Sequence, residues 1–309
     1  MKLLYLSILS FVFVTSTALF LTKNTTPIRS DVVAFEKAFT PIPVLASDSS
    51  FPIISAQAAL AVDLNSGVSL YEKNPDKSLL PASTTKIVTA LTAMDYYPRD
   101  TVLTVGKVGI DGQKMGLVTG EKIKVSDLLY GLLVYSANDA AKVLAQNYCA
   151  GTCGEAAFVQ AMNVKALHLS LKNTKFSNPA GLDDGDGHMT TARDLVRVSS
   201  VAMQIPEFAK IVGTKSIVVK STDGKIVHRL TNINELLGKV AGVEGVKTGW
   251  TEGARENLVT YINRDNHKVM IAILGSQDRF GETRELIDWI FGNYSWQPVG
   301  FSVAKVVNY

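Results

Sequence analysis

Three short strings in this 309-residue chain pair a hydroxyl with an amine or amide at spacings that could support proton transfer. The first is Ser83-Thr84-Thr85-Lys86. At the start of a helix, residues three apart share one face, so the hydroxyl and the amine would lie side by side. Serine is a poor nucleophile until a base takes its proton, and lysine is such a base only where burial or a neighbouring cation lowers its pKa towards neutrality. The ordinary alternative is a helix cap followed by a lysine whose stem lies along the surface.

The second string, Ser136-Ala137-Asn138, falls between two apolar runs. Read alone, it caps the next helix. Read as chemistry, Ser136 relays a proton and Asn138 orients a substrate through its amide. The third string, Lys247-Thr248-Gly249, closes a strand-like run. On a solvated edge it is a turn. In a cleft, the strand edge pairs with an extended peptide through main-chain hydrogen bonds. Gly249 then admits that peptide close to the backbone, while Lys247 and Thr248 hold an anionic group.

The surrounding sequence predicts the elements that must carry these strings. Ala56 to Asp63 and Gly67 to Lys73 read as strands around Asn65-Ser66-Gly67, a hairpin signal. Thr84 to about Tyr97 has apolar residues at Ile87, Val88, Leu91 and Met94, on adjacent helical turns. Helical periods continue through Val125 to Val134, Ala137 to Tyr148, Glu155 to Leu169 and Thr191 to Ile205. Strand-rich sequence returns near Ile217. Val243 to Gly249, Glu256 to Asn263 and Lys268 to Gly275 then read as three strands before a closing helix, Arg279 to Phe291. With strands at both ends and helices between, the sheet is assembled from both ends of the chain and the helices form a second lobe. A cleft between two lobes is a usual place for a small-molecule site.

Composition excludes several classes. The chain is 47% hydrophobic and 19% charged with a net charge of +3, an ordinary packed globular protein without a polyanion-binding signature. No nucleic-acid partner is expected. Residues 1–21 hold Lys2 and then an uncharged apolar run, which reads as an export signal or an uncleaved membrane anchor. Residues 22–50, broken by prolines and serines, read as a linker, with order beginning near Phe51. Residues 51–292 are the expected catalytic domain and 293–309 a short tail. In an oxidising compartment Cys149 and Cys153 read as a small-loop disulfide. A zinc site would need two further ligands, and His168, His188, His228 and His267 lack metal spacing, so neither metal nor cofactor is expected.

Taken together, the three strings resemble the signature of penicillin-binding proteins and class A β-lactamases, in the same order and with gaps of about 50 and 110 residues. From Ala56 to Phe291 the chain is similar to the low-molecular-weight penicillin-binding proteins, serine-type D-Ala-D-Ala carboxypeptidases. Phe176 to Leu182, His188, Thr190 to Asp194 and Thr231 to Leu237 extend the likeness; turn and capping chemistry accounts for them.

The resemblance implies an α/β (α+β) fold, an antiparallel sheet flanked by helices with an all-helical subdomain. It implies Ser83 as nucleophile, Lys86 as its base, and Ser136 with Lys247 as carriers of a proton to the leaving amine. Backbone N–H groups of Ser83 and Trp250 would form an oxyanion hole. Asn138, Thr248, Gly249 and Arg279 would bind substrate, with Arg284 a rival for the carboxylate-binding arginine. The implied substrate is a peptidoglycan stem peptide, and β-lactams would acylate Ser83. D,D-endopeptidase action on cross-linked muropeptides is the nearest alternative. A class A β-lactamase would need a glutamate that Lys165 to Asp186 lacks, and a penicillin-sensing receptor would need an output domain inside the cell. Any membrane tether is expected at the N-terminus.

Overall fold

The computed structural model describes residues 40–46, 49–185 and 187–298. The central sheet has five antiparallel strands in the order β3-β2-β10-β9-β8. Strands β2 (Ala58–Asp63) and β3 (Ser69–Lys73) come from the early chain. Strands β8 (Val243–Thr251), β9 (Arg255–Arg264) and β10 (His267–Ser276) come from the late chain. The sheet is therefore built from both ends, as the strand distribution predicts.

Both sheet faces are covered, so the strands are apolar on both sides rather than alternating apolar and polar. On β10, Val269, Ile271 and Ile273 face one hydrophobic cluster together with Leu286, Ile287 and Ile290 of the closing helix α7 (Arg279–Asn293). Met270, Ala272 and Leu274 belong to the other cluster, shared with the helical lobe. Each fully buried aliphatic chain of this kind contributes about 1.5–3 kcal/mol.

The helical lobe comprises α1 (Lys86–Tyr96), α2 (Val125–Val134), α3 (Asn138–Gln146), α4 (Gly154–His168), α5 (Ala192–Ala202) and α6 (Pro206–Val212). Two small hairpins, β4 (Val102–Thr104) with β5 (Lys122–Lys124) and β6 (Ser216–Lys220) with β7 (Val227–Thr231), border it. Helix α5 ends three residues short of the predicted Ile205. Pro206 then opens a separate helix at the first-turn position that tolerates its missing N–H.

The linker and tail boundaries need correction. Order begins before Phe51: Ile42–Leu45 form β1, paired with β11 (Tyr294–Gln297), which lies in the stretch expected as a tail. Pro43 is tolerated because β1 has only one neighbour and an edge strand can omit a ladder donor. The pairing is fastened from the β11 side. Trp296 donates to Asp63 Oδ1 at 3.1 Å and stacks on His267, while the Tyr294 hydroxyl donates to Leu70 O at 2.7 Å. Among the described residues no helix is long and apolar enough to cross a membrane, and the apolar segment 1–21 lies outside them.

Candidate active site

The first string sits on a sharp turn. After Pro81, Ala82 adopts φ +47°, and Ala82–Thr85 form a 3₁₀ turn that runs directly into α1. Thr84 closes the turn by donating through its hydroxyl to Pro81 O at 2.7 Å. Every residue of this turn is buried except Ser83, whose side chain reaches the cleft. Lys86 begins the helix itself, so the spacing of three places its amine 2.9 Å from the Ser83 hydroxyl.

Lys86 is fully buried and meets three acceptors: Ser83 Oγ, Asn138 Oδ1 at 2.7 Å and Ala180 O. An ammonium has three donors and no lone pair, whereas a neutral amine has two donors and one acceptor site. The neutral form can thus keep the bonds to Asn138 and Ala180 while accepting the Ser83 proton. Burial pushes the Lys86 pKa down to about 7, against an upward pull from the Asp139 carboxylate. An amine poised near neutrality can take a proton from an alcohol and return it.

The second string turns the chain from α2 into α3. Ser136 holds φ +62° and is buried, and the third string meets it there. Lys247 of β8 donates to Ser136 Oγ at 2.8 Å and to Thr248 O at 2.8 Å. Its pKa lies well below the ordinary lysine value, first because it is buried and then because Lys86 and Arg279 repel a further positive charge. The three strings therefore meet through Ser83–Lys86–Asn138 and Ser136–Lys247. Asn138 also fixes a cleft wall, donating through Nδ2 to Asp111 O at 2.7 Å.

Strand β8 is an edge of the central sheet, paired only with β9. Its third-string end lies against the Ser83 turn. A Cβ added at Gly249 would stand 3.1–3.2 Å from Ala82 Cβ, Pro81 O and Ser83 N, so any other residue would push the strand away from the nucleophile turn. Trp250 is 62% exposed. Arg279 opens α7, donates through Nη1 to Gly249 O at 2.8 Å, and stacks on Phe280. A cleft of about 1070 Å³ is lined by Ser83, Ser136, Asn138, Thr248, Gly249, Trp250 and Arg279. Arg284 does not line it. Cys149 and Cys153 are joined as a disulfide with Cα atoms 5.4 Å apart, between α3 and α4 and away from the cleft lining.

Four further residues shape the site without having been singled out by spacing. Asn178 accepts through Oδ1 from the N–H groups of Ala180, Gly181 and Leu182, at 2.8–3.2 Å, which holds the Ala180 carbonyl against Lys86. Gly181 is required there: at φ +83° its missing Cβ would lie 2.0 Å from Ala82 O. Asp139 accepts from Met115, Gly116 and Leu117 N–H at 2.9–3.1 Å and so pins the loop that faces Asn138. His188 Nδ1 accepts from Ser177 N–H at 3.0 Å, which assigns its proton to Nε2, the donor to Thr85 Oγ1 at 2.9 Å. Burial keeps that ring neutral, with a pKa lowered to about 4. The likeness noted at Phe176 to Leu182 and at His188 was the sequence signal for Asn178, Gly181 and His188; nothing marked Asp139.

A half-buried alcohol facing the cleft, on a buried amine poised near neutrality and beside a free strand edge, is the equipment of an acyl-transferring serine hydrolase. The comparisons narrow this class. A family model described as D-alanyl-D-alanine carboxypeptidase matches residues 46–278. The chain is 32% identical over 265 residues to the D-alanyl-D-alanine carboxypeptidase DacF of Bacillus subtilis, covering 81% of this chain and 67% of that protein. It is 33% identical over 246 residues to the D-alanyl-D-alanine endopeptidase of Pseudomonas aeruginosa, covering 77% of each. In three dimensions it is similar to the Streptomyces K15 DD-transpeptidase, with a TM-score of 0.73 and 30% identity over 79% of this chain and 99% of that one. The chain belongs to the D-alanyl-D-alanine carboxypeptidase family of serine peptidases.

Proposed function

We propose that this protein removes the terminal D-alanine from peptidoglycan stem pentapeptides through an acyl-enzyme on Ser83. The observation that carries the reading is the 2.9 Å contact between Ser83 Oγ and the buried amine of Lys86. Ser83 Oγ bonds to the carbonyl carbon of the penultimate D-alanine as its proton passes to Lys86. The C–N bond to the terminal D-alanine then breaks, and Ser136 with Lys247 delivers a proton to the leaving amine. Water hydrolyses the ester and restores Ser83.

The backbone N–H groups of Ser83 and Trp250 stabilise the oxyanion, an element whose loss costs about 10²- to 10³-fold in rate. The substrate lies antiparallel to the free edge of β8, with its terminal carboxylate at Thr248 and Arg279. β-Lactams acylate the same hydroxyl. Such a substrate places the enzyme outside the cytoplasmic membrane, where the Cys149–Cys153 disulfide persists. Attachment to the membrane through residues 1–21 belongs to the same proposal.

The test is D-alanine release from a pentapeptide muropeptide, with a cross-linked dimer as competing substrate. Release from the pentapeptide is expected, together with covalent labelling by a fluorescent penicillin. Ser83→Ala should abolish the label and lower release by about 10³-fold or more. A label that survives in Ser83→Ala removes Ser83 from its role. Preferred cleavage of the dimer makes the protein an endopeptidase, the activity named for the Pseudomonas relative.

A further inference from the structure

A second pocket lies away from the cleft. It is a groove of about 470 Å³ between the end of α1 and one face of α4, and it shares no lining residue with the active-site cleft. Between Lys86 and Tyr96 helix α1 advances about 15 Å, so the groove opens well away from Ser83. Tyr96 and Tyr148 form one wall, their ring centroids 4.4 Å apart and their planes at 52°. Ala157, Ala161 and Val164, one helical face of α4, form an apolar side. Asp95 and Lys165 form an ion pair on the rim, beside Gln160 and His168.

Two observations mark this groove as more than a packing gap. Thr92 lines it, is buried, and its hydroxyl has no hydrogen-bond partner among the described residues. A buried hydroxyl left unpaired costs about 1–3 kcal/mol, a cost that a small opening of the groove wall onto a bound polar group would relieve. The tyrosine wall is also braced. The Cys149–Cys153 disulfide ties the turn that carries Tyr148 to the start of α4, and Tyr148 packs edge-on against Phe158 at 5.6 Å. The acyl-transfer mechanism uses neither the disulfide nor Thr92.

The lining selects among ligand chemistries. The walls are two helices and a turn, so no free strand edge is offered to an extended peptide. Asp95 and Lys165 cancel in charge, which gives a polyanion no attraction. A lipid surface would be opposed by the carboxylate, ammonium and amide on the rim. A sugar ring fits instead: its apolar face can lie on tyrosine, and its hydroxyl and acetamido groups can reach Asp95, Gln160 and Lys165.

We propose that this groove is a second, non-catalytic site for an N-acetylated amino sugar of the glycan strand. The inference rests on the carboxypeptidase reading, because that reading brings a glycan-borne substrate to the protein. A strand held here keeps its other stem peptides near the cleft, raising their effective concentration without any new contact at Ser83.

The experiment titrates the full chain with the peptide-free, fully N-acetylated tetramer of glucosamine by calorimetry, alongside the Tyr96→Ala, Gln160→Ala double variant. Both side chains are exposed, and a thermal melt checks the variant's fold. Saturable binding is expected, weakened about tenfold in the variant. Release of D-alanine from a free pentapeptide should stay unchanged, while release from intact sacculi falls. Absence of saturable binding, equal binding by the variant, or displacement of the sugar by a D-Ala-D-Ala peptide would each overturn the proposal. Fluorescent penicillin separates the two readings. Sugar binding without Ser83 labelling sinks the carboxypeptidase reading alone, and labelling without sugar binding sinks the groove alone.

Discussion

The cleft contains two serine–lysine pairs that look alike and are built differently. Ser83 and Lys86 are neighbours on one turn, 2.9 Å apart, with a separation of three residues. Ser136 and Lys247 are 2.8 Å apart but come from opposite lobes, 111 residues distant in sequence. Both amines are buried. Lys86 has a carboxylate, Asp139, pulling its pKa up, whereas Lys247 has only cations, Lys86 and Arg279, pushing its pKa further down. On the proposed mechanism Lys86 exchanges a proton near neutral pH on its own, while Lys247, which passes a proton through Ser136, also gains from the negative charge of a carboxylate held at Thr248 and Arg279.

The largest test of this contrast is to remove each amine. Lys86→Ala should lower kcat/KM for D-alanine release by about 10²–10⁴-fold, the range for a lost general base. It should slow acylation by β-lactams just as strongly. Lys247→Ala should cost about 10²-fold on substrates with a free terminal carboxylate, and less on an otherwise matched amide that lacks it, where only its part in the proton path is lost. Equal losses on both kinds of substrate would show that Lys247 is a proton carrier without a part in reading charge.

The strings themselves were legible because their chemistry is local: a spacing of three fixes a helix face whatever surrounds it. That Lys86 and Lys247 would approach each other was legible only through resemblance, since no periodicity joins residues of different lobes. The likeness marked the turn around Ala180, but the part played by its carbonyl was not legible. It is a backbone group, aimed by Asn178 through three N–H bonds, and its residue type carries no information. Asp139 reads from sequence as an ordinary acidic residue in the first turn of α3, and only the folded loop at Met115 to Leu117 brings donors to it. The β1–β11 pairing escaped for a related reason. Strands of four residues, one containing Pro43, show no alternation long enough to register.

A finer test moves the charge without removing the amine. The acid limb of kcat/KM should reflect Lys86, which must be neutral to accept the Ser83 proton, so activity should rise with pH through about 7. Asp139 raises that pKa, so Asp139→Asn should shift the limb to lower pH; the amide oxygen keeps only the N–H bonds of one carboxylate oxygen, so a thermal melt checks that the loop stays in place. A profile of the variant that superimposes on the original would show that another group sets the limb.

The smallest effect is on stability, and its sign follows from proton counting. Between pH 7 and 10.5 the unfolded chain protonates residue 86 while the folded chain does not, so the unfolded state binds more protons and stability rises with pH. At and below pH 7 the cost of burying this amine is fully present; above 10.5 it is gone. A shift from 10.5 to about 7 corresponds to ~5 kcal/mol at 1.36 kcal/mol per unit. Lys86→Met lacks this dependence. Its constant offset is set by the hydrogen bonds that Asn138 and Ala180 no longer receive, so the informative quantity is the slope. Urea unfolding at several pH values in that window should show the original chain gaining on Lys86→Met by a few kcal/mol as pH rises. For Lys247→Met a gain of the same sign is expected, because burial and the neighbouring cations lower that pKa too. A difference that stays flat with pH for Lys86→Met would mean that Lys86 is an ordinary cation in the folded protein. The two pairs would then be separated by distance along the chain and by nothing else.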